Sequence, residues 1–276
     1  MRQPWKIFIG LFASCCLTGC ATTRPLELPS KAIVQREQLV IHSDFNLPER
    51  HRLIEDLTFL RNDIVRLLGA PISDEPIYVY LFEDSNRYER YMAEHHPLLP
   101  TRRAFFIKSD TTLRVYAYWG DRVAEDLRHE VTHAYLHAVF PYLPLWLDEG
   151  IAEYFETGRG SQGIHRSHIE LLVEQSAAGN WQPDLERLES ISRVGEMDQL
   201  AYAESWLWIH FALHEPARAE LIQRYLQSLR TKGESARMSL MFPETTPQLS
   251  SAVLSHLQML NELDQDEARR ETPEAP

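Results

Sequence analysis

The sequence predicts an α+β fold: a small mixed or antiparallel sheet with helices in the N-terminal half, then an all-helical C-terminal half. Two observations carry this. Four short runs rich in β-branched, aliphatic and aromatic residues (39–42, 77–82, 104–107 and 113–118) all lie before Gly120. Stretches with apolar residues at helical spacing dominate after it. The hydrophobic fraction is 44% and the aromatic fraction 10% over 276 residues, enough for one sizeable domain or two small lobes flanking a cleft.

Taken in order, residues 1–19 read as an export signal. Arg2 and Lys6 form a positive start, and Ile7 to Cys16 is apolar but too short to span a bilayer. The run ends in Leu17-Thr18-Gly19-Cys20, which resembles the lipobox of bacterial lipoproteins. That resemblance implies cleavage before Cys20, acylation of Cys20, and a lipid-anchored place in a bacterial cell envelope. Ala21 after the cysteine implies the outer membrane, facing the periplasm, if the host is Gram-negative. The acyl chains would make a membrane the first partner. An ordinary secretory signal with an incidental cysteine is the alternative.

The other cysteines, Cys15 and Cys16, lie inside the signal. The mature chain therefore has no disulfide and no thiolate ligand, and any transition-metal site must use His, Asp or Glu. The formal net charge is −12; Arg2 and Lys6 are the only charges in residues 1–19, which leaves −14 from Cys20 onward. A surface this acidic excludes nucleic acid as a natural partner.

Residues 20–36, with Pro, Thr and Ser, read as a membrane tether. A domain then spans 37–263, with an α/β lobe to about 140 and a helical lobe from 141. Leu39 to His42 reads as its first strand. Pro48 to Leu68 carries Leu53, Ile54, Leu57, Leu60, Ile64, Leu67 and Leu68 at helical spacing, and Gly69 stops it. Ile77 to Phe82 is a strand, and Asp84 or Ser85 caps a helix to about Glu94. Runs 104–107 and 113–118, with Ser109-Asp110-Thr111 between them, read as a hairpin. Helices follow near 121–140, 145–157, 164–178, 199–213, 216–231 and 247–263. The charged stretch 264–276 reads as disordered. Nothing after residue 20 is long and apolar enough to cross a membrane.

Chemistry concentrates in His129-Glu130-Val131-Thr132-His133. On a helix, i and i+4 share a face, so two imidazoles can reach one ion at about 2.0–2.1 Å. Glu130 beside them can serve as general base. Fifteen residues on comes Trp146-Leu147-Asp148-Glu149-Gly150-Ile151-Ala152. Together these tracts resemble the gluzincin metallopeptidases, the group that includes thermolysin, and the smaller peptidase-MA-like proteins of bacterial envelopes. The resemblance covers about residues 102–215. It implies a zinc-bearing helix pair at a cleft and one Zn2+ per chain held by His129, His133 and Glu149. Two imidazoles and one carboxylate leave a fourth position for water, the open arrangement of a catalytic site.

Further roles come from the same resemblance. Glu153, one turn after Glu149, would orient His129; a plain surface acid is the alternative. Tyr202, in Tyr202-Ala203-Glu204-Ser205-Trp206, would donate to an oxyanion, or else simply packs at a helix start. The strand bearing Leu113, Val115 and Ala117 would lie at the sheet edge and pair with extended substrate, or else be an ordinary strand. His137 lies about 80° around the helix from His129, too far to share the ion, and reads as packing. His95, His96, His165, His168, His210, His214 and His256 read as scattered structural residues.

The resulting expectation is a membrane-anchored zinc metallopeptidase acting on peptides or proteins. The alternative is a catalytically inactive peptidase fold serving as a binding or scaffold module in the envelope. Cleavage specificity and oligomeric state stay open.

Overall fold

The computed structural model describes residues 26–232 and 237–271. The signal and the lipidation residue Cys20 lie outside them. The described residues form a five-stranded mixed sheet in the N-terminal half and helices throughout the C-terminal half, an α+β architecture.

The chain enters with β1 (Ala32–Arg36) and β2 (Leu39–Ser43), an antiparallel pair. This corrects the tether, which was expected to run to residue 36. The turn between the strands holds Glu37 at φ 49°. A left-handed turn residue in a tight hairpin is usually Gly, Asn or Asp, so the sequence carries no turn signal there. Upstream, Leu26 and Leu28 pack on an aromatic cluster, and Arg87 donates to the Glu27 carbonyl at 3.0 Å. The chain is thus docked from the first described residue.

After α1 (Arg52–Leu68), capped by Gly69 at φ 62°, β3 (Ile77–Phe82) pairs parallel with β2. After α2 (Ser85–His95), capped by Asp84, the hairpin of β4 (Ala104–Ser109) and β5 (Thr112–Tyr118) completes the sheet. The order is β1-β2-β3-β5-β4. One face carries Ile41, Val79, Val115 and Ala117 and packs with α1 and α3 (Val123–His137) in the main core. The other carries Tyr80, Phe82 and Tyr116 under Tyr88, Tyr91 and Met92 of α2. Each large side chain buried this way contributes roughly 1.5–3 kcal/mol.

This order overturns the substrate-strand expectation. β5 lies between β3 and β4, and Leu113, Val115 and Ala117 are sealed in the core. The edge strand on this side is β4, and β1 is the opposite edge. The hairpin was expected, but which arm lies outermost depends on where β5 docks, a tertiary choice with no local signature.

The helical half comprises α4 (Leu145–Glu156), α5 (Arg166–Ala177), the short α6 (Leu185–Ser190), α7 (Gln199–Leu213), α8 (Pro216–Lys232) and α9 (Thr246–Glu271). Helix α6 was not expected. Helix α9 continues through 264–271, where a disordered tail was expected; residues 272–276 lie outside the description. Asp264 pairs with Arg166 at 2.9 Å, and the helix-favouring residue types Gln, Glu, Ala and Arg follow it. Helix α7, apolar on every face, is the pillar of this half, and α4 packs along it. Gly150 makes that approach possible: a Cβ there would sit 2.6 Å from the Ser205 carbonyl oxygen. No described helix is long and apolar enough to cross a membrane.

Candidate metal centre

Helix α3 lies on the sheet with His129, Glu130 and His133 turned from the core towards α4 and the edge strand. Pro141 and Pro144 interrupt the helical backbone after α3, and α4 returns alongside it. The return is antiparallel at the site: going back from His133 to His129, α4 goes forward from Asp148 to Glu156.

Three atoms converge between the helices. His129 Nε2 and His133 Nε2 are 3.2 Å apart, and Glu149 Oε2 is 3.6 and 3.5 Å from them. Ligands about 2.05 Å from a tetrahedral ion lie roughly 3.3 Å apart, so this triangle has the dimensions of one face of such a site. The far side of each imidazole is fixed. His129 Nδ1 lies 2.9 Å from Glu156 Oε2, and His133 Nδ1 lies 2.9 Å from Asp148 Oδ1. A neutral imidazole whose Nδ1–H donates to a carboxylate presents a lone pair at Nε2. Two such lone pairs and a carboxylate oxygen then face one point and could hold a metal ion. The donor set of two imidazoles and one carboxylate suits zinc.

The charges agree. Burial opposes protonation of His129, yet the Glu149 and Glu156 carboxylates outweigh it and hold its pKa well above the usual histidine value. Burial likewise opposes His133, but Asp148 and Glu149 push it up to about 10. Burial would raise Glu149, yet the two histidines bring it down to about 2, and Asp148 and Glu156 also fall below the usual carboxylate range against their burial. The centre is built to hold positive charge.

Glu130 is placed differently. Its Oε2 accepts from the Phe106 N–H at 2.6 Å, which ties it to edge strand β4. Burial raises its pKa, and the nearby histidines and that hydrogen bond only partly offset the rise. Glu130 and His129 line an open cavity of about 750 Å³ with Arg102, Ala104, Glu153 and Tyr202 among its walls. Tyr202 stands in the first turn of α7, capped by Asp198. Its buried hydroxyl faces the Arg102 guanidinium. Burial and Glu149 raise its pKa, while the neighbouring Arg102 guanidinium works the other way.

His129, Glu130 and Tyr202 therefore line one cavity, with His133 and Glu149 behind His129, and Glu153 is not on the imidazole where it was expected. The carboxylate on His129 is Glu156, while Glu153 reaches His168 Nε2 at 2.9 Å. Seven residues return to within about 20° of the Glu149 face and four miss by about 40°, so helix geometry favours Glu156. Asp148, quoted in the motif but given no role, holds both His133 and, at 2.8 Å, His137 Nε2. His137 stays off the centre, as expected. His165 and His168 stack at 3.7 Å, and His210 and His214 stack at 3.8 Å with His256 Nε2 2.9 Å from His210 Nδ1. The helical-half histidines thus form two clusters rather than scattered residues. No family model matches the chain, and no curated protein matches it.

Proposed function

We propose that the protein is a zinc metallopeptidase of gluzincin type, lipid-anchored through Cys20 in a bacterial envelope. The observation that carries this is the triangle of His129 Nε2, His133 Nε2 and Glu149 Oε2, with Glu130 beside it at the cavity wall. Zinc held there would lower the pKa of a bound water towards about 7 and polarise the scissile carbonyl.

The chain supplies the rest. Glu130, with a raised pKa, accepts the proton of the attacking water. The water oxygen bonds to the carbonyl carbon, the C–N bond breaks, and Glu130 returns the proton to the leaving nitrogen. The Tyr202 hydroxyl, at the cavity wall beside Arg102, donates to the developing oxyanion. Asp148 and Glu156 keep both imidazoles in the ligating tautomer. The substrate strand is β4, not β5. Phe106 N–H points away from β5 to Glu130, so Ala104, Phe106 and Lys108 turn backbone groups to the open edge, where an extended peptide can add as a strand.

The test compares zinc-loaded wild type with Glu130→Gln on a library of unstructured peptides. Loss of at least about 100-fold in turnover with zinc retained is expected. Equal turnover would falsify the proposal. A fully inert wild type that retains zinc would favour the binding-module alternative.

A further inference from the structure

We infer that the same cavity holds a second transition-metal site, formed by Glu153, His165 and His168 with Glu156 as its link to the first. It does not depend on the peptidase reading.

His165 caps the N-terminus of α5 and His168 lies in its first turn, three residues on and on the same side. Their rings stack at 3.7 Å with planes 12° apart. Both Nε2 atoms turn to one oxygen of buried Glu153: His168 Nε2 at 2.9 Å and His165 Nε2 at 3.6 Å from Oε2. The three donor atoms lie within 4.8 Å of one another. His165 Nε2 is also 3.6 Å from Glu156 Oε1. An imidazole nitrogen 3.6 Å from each of two carboxylate oxygens hydrogen-bonds to neither. The donor atoms are instead close enough for one ion to lie between them. His165 Nδ1 already has a partner in the Ser167 hydroxyl at 3.1 Å, which leaves Nε2 for the cavity. Trp206 packs edge-on against the His165 ring and tilted against the His168 ring.

The donor set selects the ion. Two imidazoles with carboxylate oxygens suit zinc or another late first-row divalent ion, whereas magnesium and calcium prefer oxygen donors throughout. Glu156 touches both sites, with Oε2 on His129 Nδ1 and Oε1 towards His165. Filling the second site therefore draws on the carboxylate that orients a ligand of the first.

The experiment strips the full chain of metal, titrates it with Zn2+ alone, and measures bound zinc per chain by equilibrium dialysis. Wild type is expected to bind about two ions, the double variant H165A/H168A about one, and E149A about one, retained at the second site. E153Q keeps the shape and an acceptor for His168 but removes the anionic ligand, and should lose the second ion even if the double variant does not fold. Co2+ in place of zinc gives a second readout: E153Q should lose one of two visible ligand-field signals. A single ion in wild type, lost in E149A and unchanged in E153Q, overturns the second site and leaves the first standing. An ion that persists in E149A and disappears in E153Q supports the second site even if the first fails. No bound zinc in folded wild type overturns both.

Discussion

Replacing Gly150 by alanine tests whether the approach of α4 to α7 sets the metal centre. The new Cβ would lie 2.6 Å from Ser205 O, 2.8 Å from Ser205 C and 2.9 Å from Ile209 Cγ1. Two of these neighbours are backbone atoms inside a helix, so no side-chain rotation relieves them. Restoring ordinary contact requires α4 to back away by roughly 0.8 Å. Overpacking of this kind costs about 1–3 kcal/mol. At about 2–4 °C per kcal/mol for a domain of this size, Tm should fall by about 2–12 °C. Glu149 and Asp148 directly precede Gly150, and a metal site tolerates ligand shifts of only about 0.2 Å. If about 1.4 kcal/mol of the strain is released by moving Glu149 off its ligating position, zinc affinity falls about tenfold. The assay is thermal unfolding of the metal-free and zinc-saturated full chain. Gly150→Ala should lower Tm in both states and shrink the increment that zinc adds. An unchanged Tm with an unchanged zinc increment would refute the argument that this contact positions the centre.

Other expectations follow from the same geometry. Asp148→Ala and Glu156→Ala each remove the carboxylate that orients an imidazole, so zinc affinity should drop about 10–100-fold in each, measured by competition with a chromophoric chelator. In the metal-free protein, His133 has its pKa raised to about 10 from 6.5, so its stabilisation is complete below pH 6.5 and is lost as pH rises towards 10. Glu149, lowered from 4.5 to about 2, contributes above pH 4.5 and loses its contribution as pH falls towards 2. Metal-free Tm should therefore decline from pH 6.5 to 10, and saturating zinc should flatten that decline; a metal-free profile flat over this range would contradict the charge assignment. Tyr202→Phe should lower kcat about 100–1,000-fold with KM little changed, read from steady-state peptide hydrolysis. Arg187→Ala should destabilise the fold by about 2–4 kcal/mol in urea unfolding, because fully buried Glu204 would keep only neutral donors from Trp181, Asp184 and Trp208.

What was legible in the sequence was local. His129, Glu130 and His133 share one helical turn, so helix periodicity places them, and Glu149 was reached through the resemblance that its tract carries. The strands of the core announced themselves by composition. What was not legible depended on how elements dock. That β4 rather than β5 is outermost follows from β5 joining β3. Strand β1 has one buried residue, Val34, and a hairpin turn built on Glu37, so neither alternation nor turn chemistry marks it. The choice of Glu156 over Glu153 follows from the seven-residue return to the Glu149 face, a periodicity that the resemblance passed over. The pairing of Glu153 with His165 and His168 exists only once α4 and α5 both dock on α7, and the His165–His168 spacing alone carries no sign of which carboxylate it meets.

The central claim is that three side chains hold one ion and leave a position open beside Glu130. Anomalous diffraction at the zinc edge from zinc-loaded crystals of the full chain tests it most directly. The account predicts a peak about 2.0–2.1 Å from His129 Nε2, His133 Nε2 and a Glu149 carboxylate oxygen, with no fourth side chain bound. No peak between those residues, or a fourth protein ligand closing the site, would contradict it.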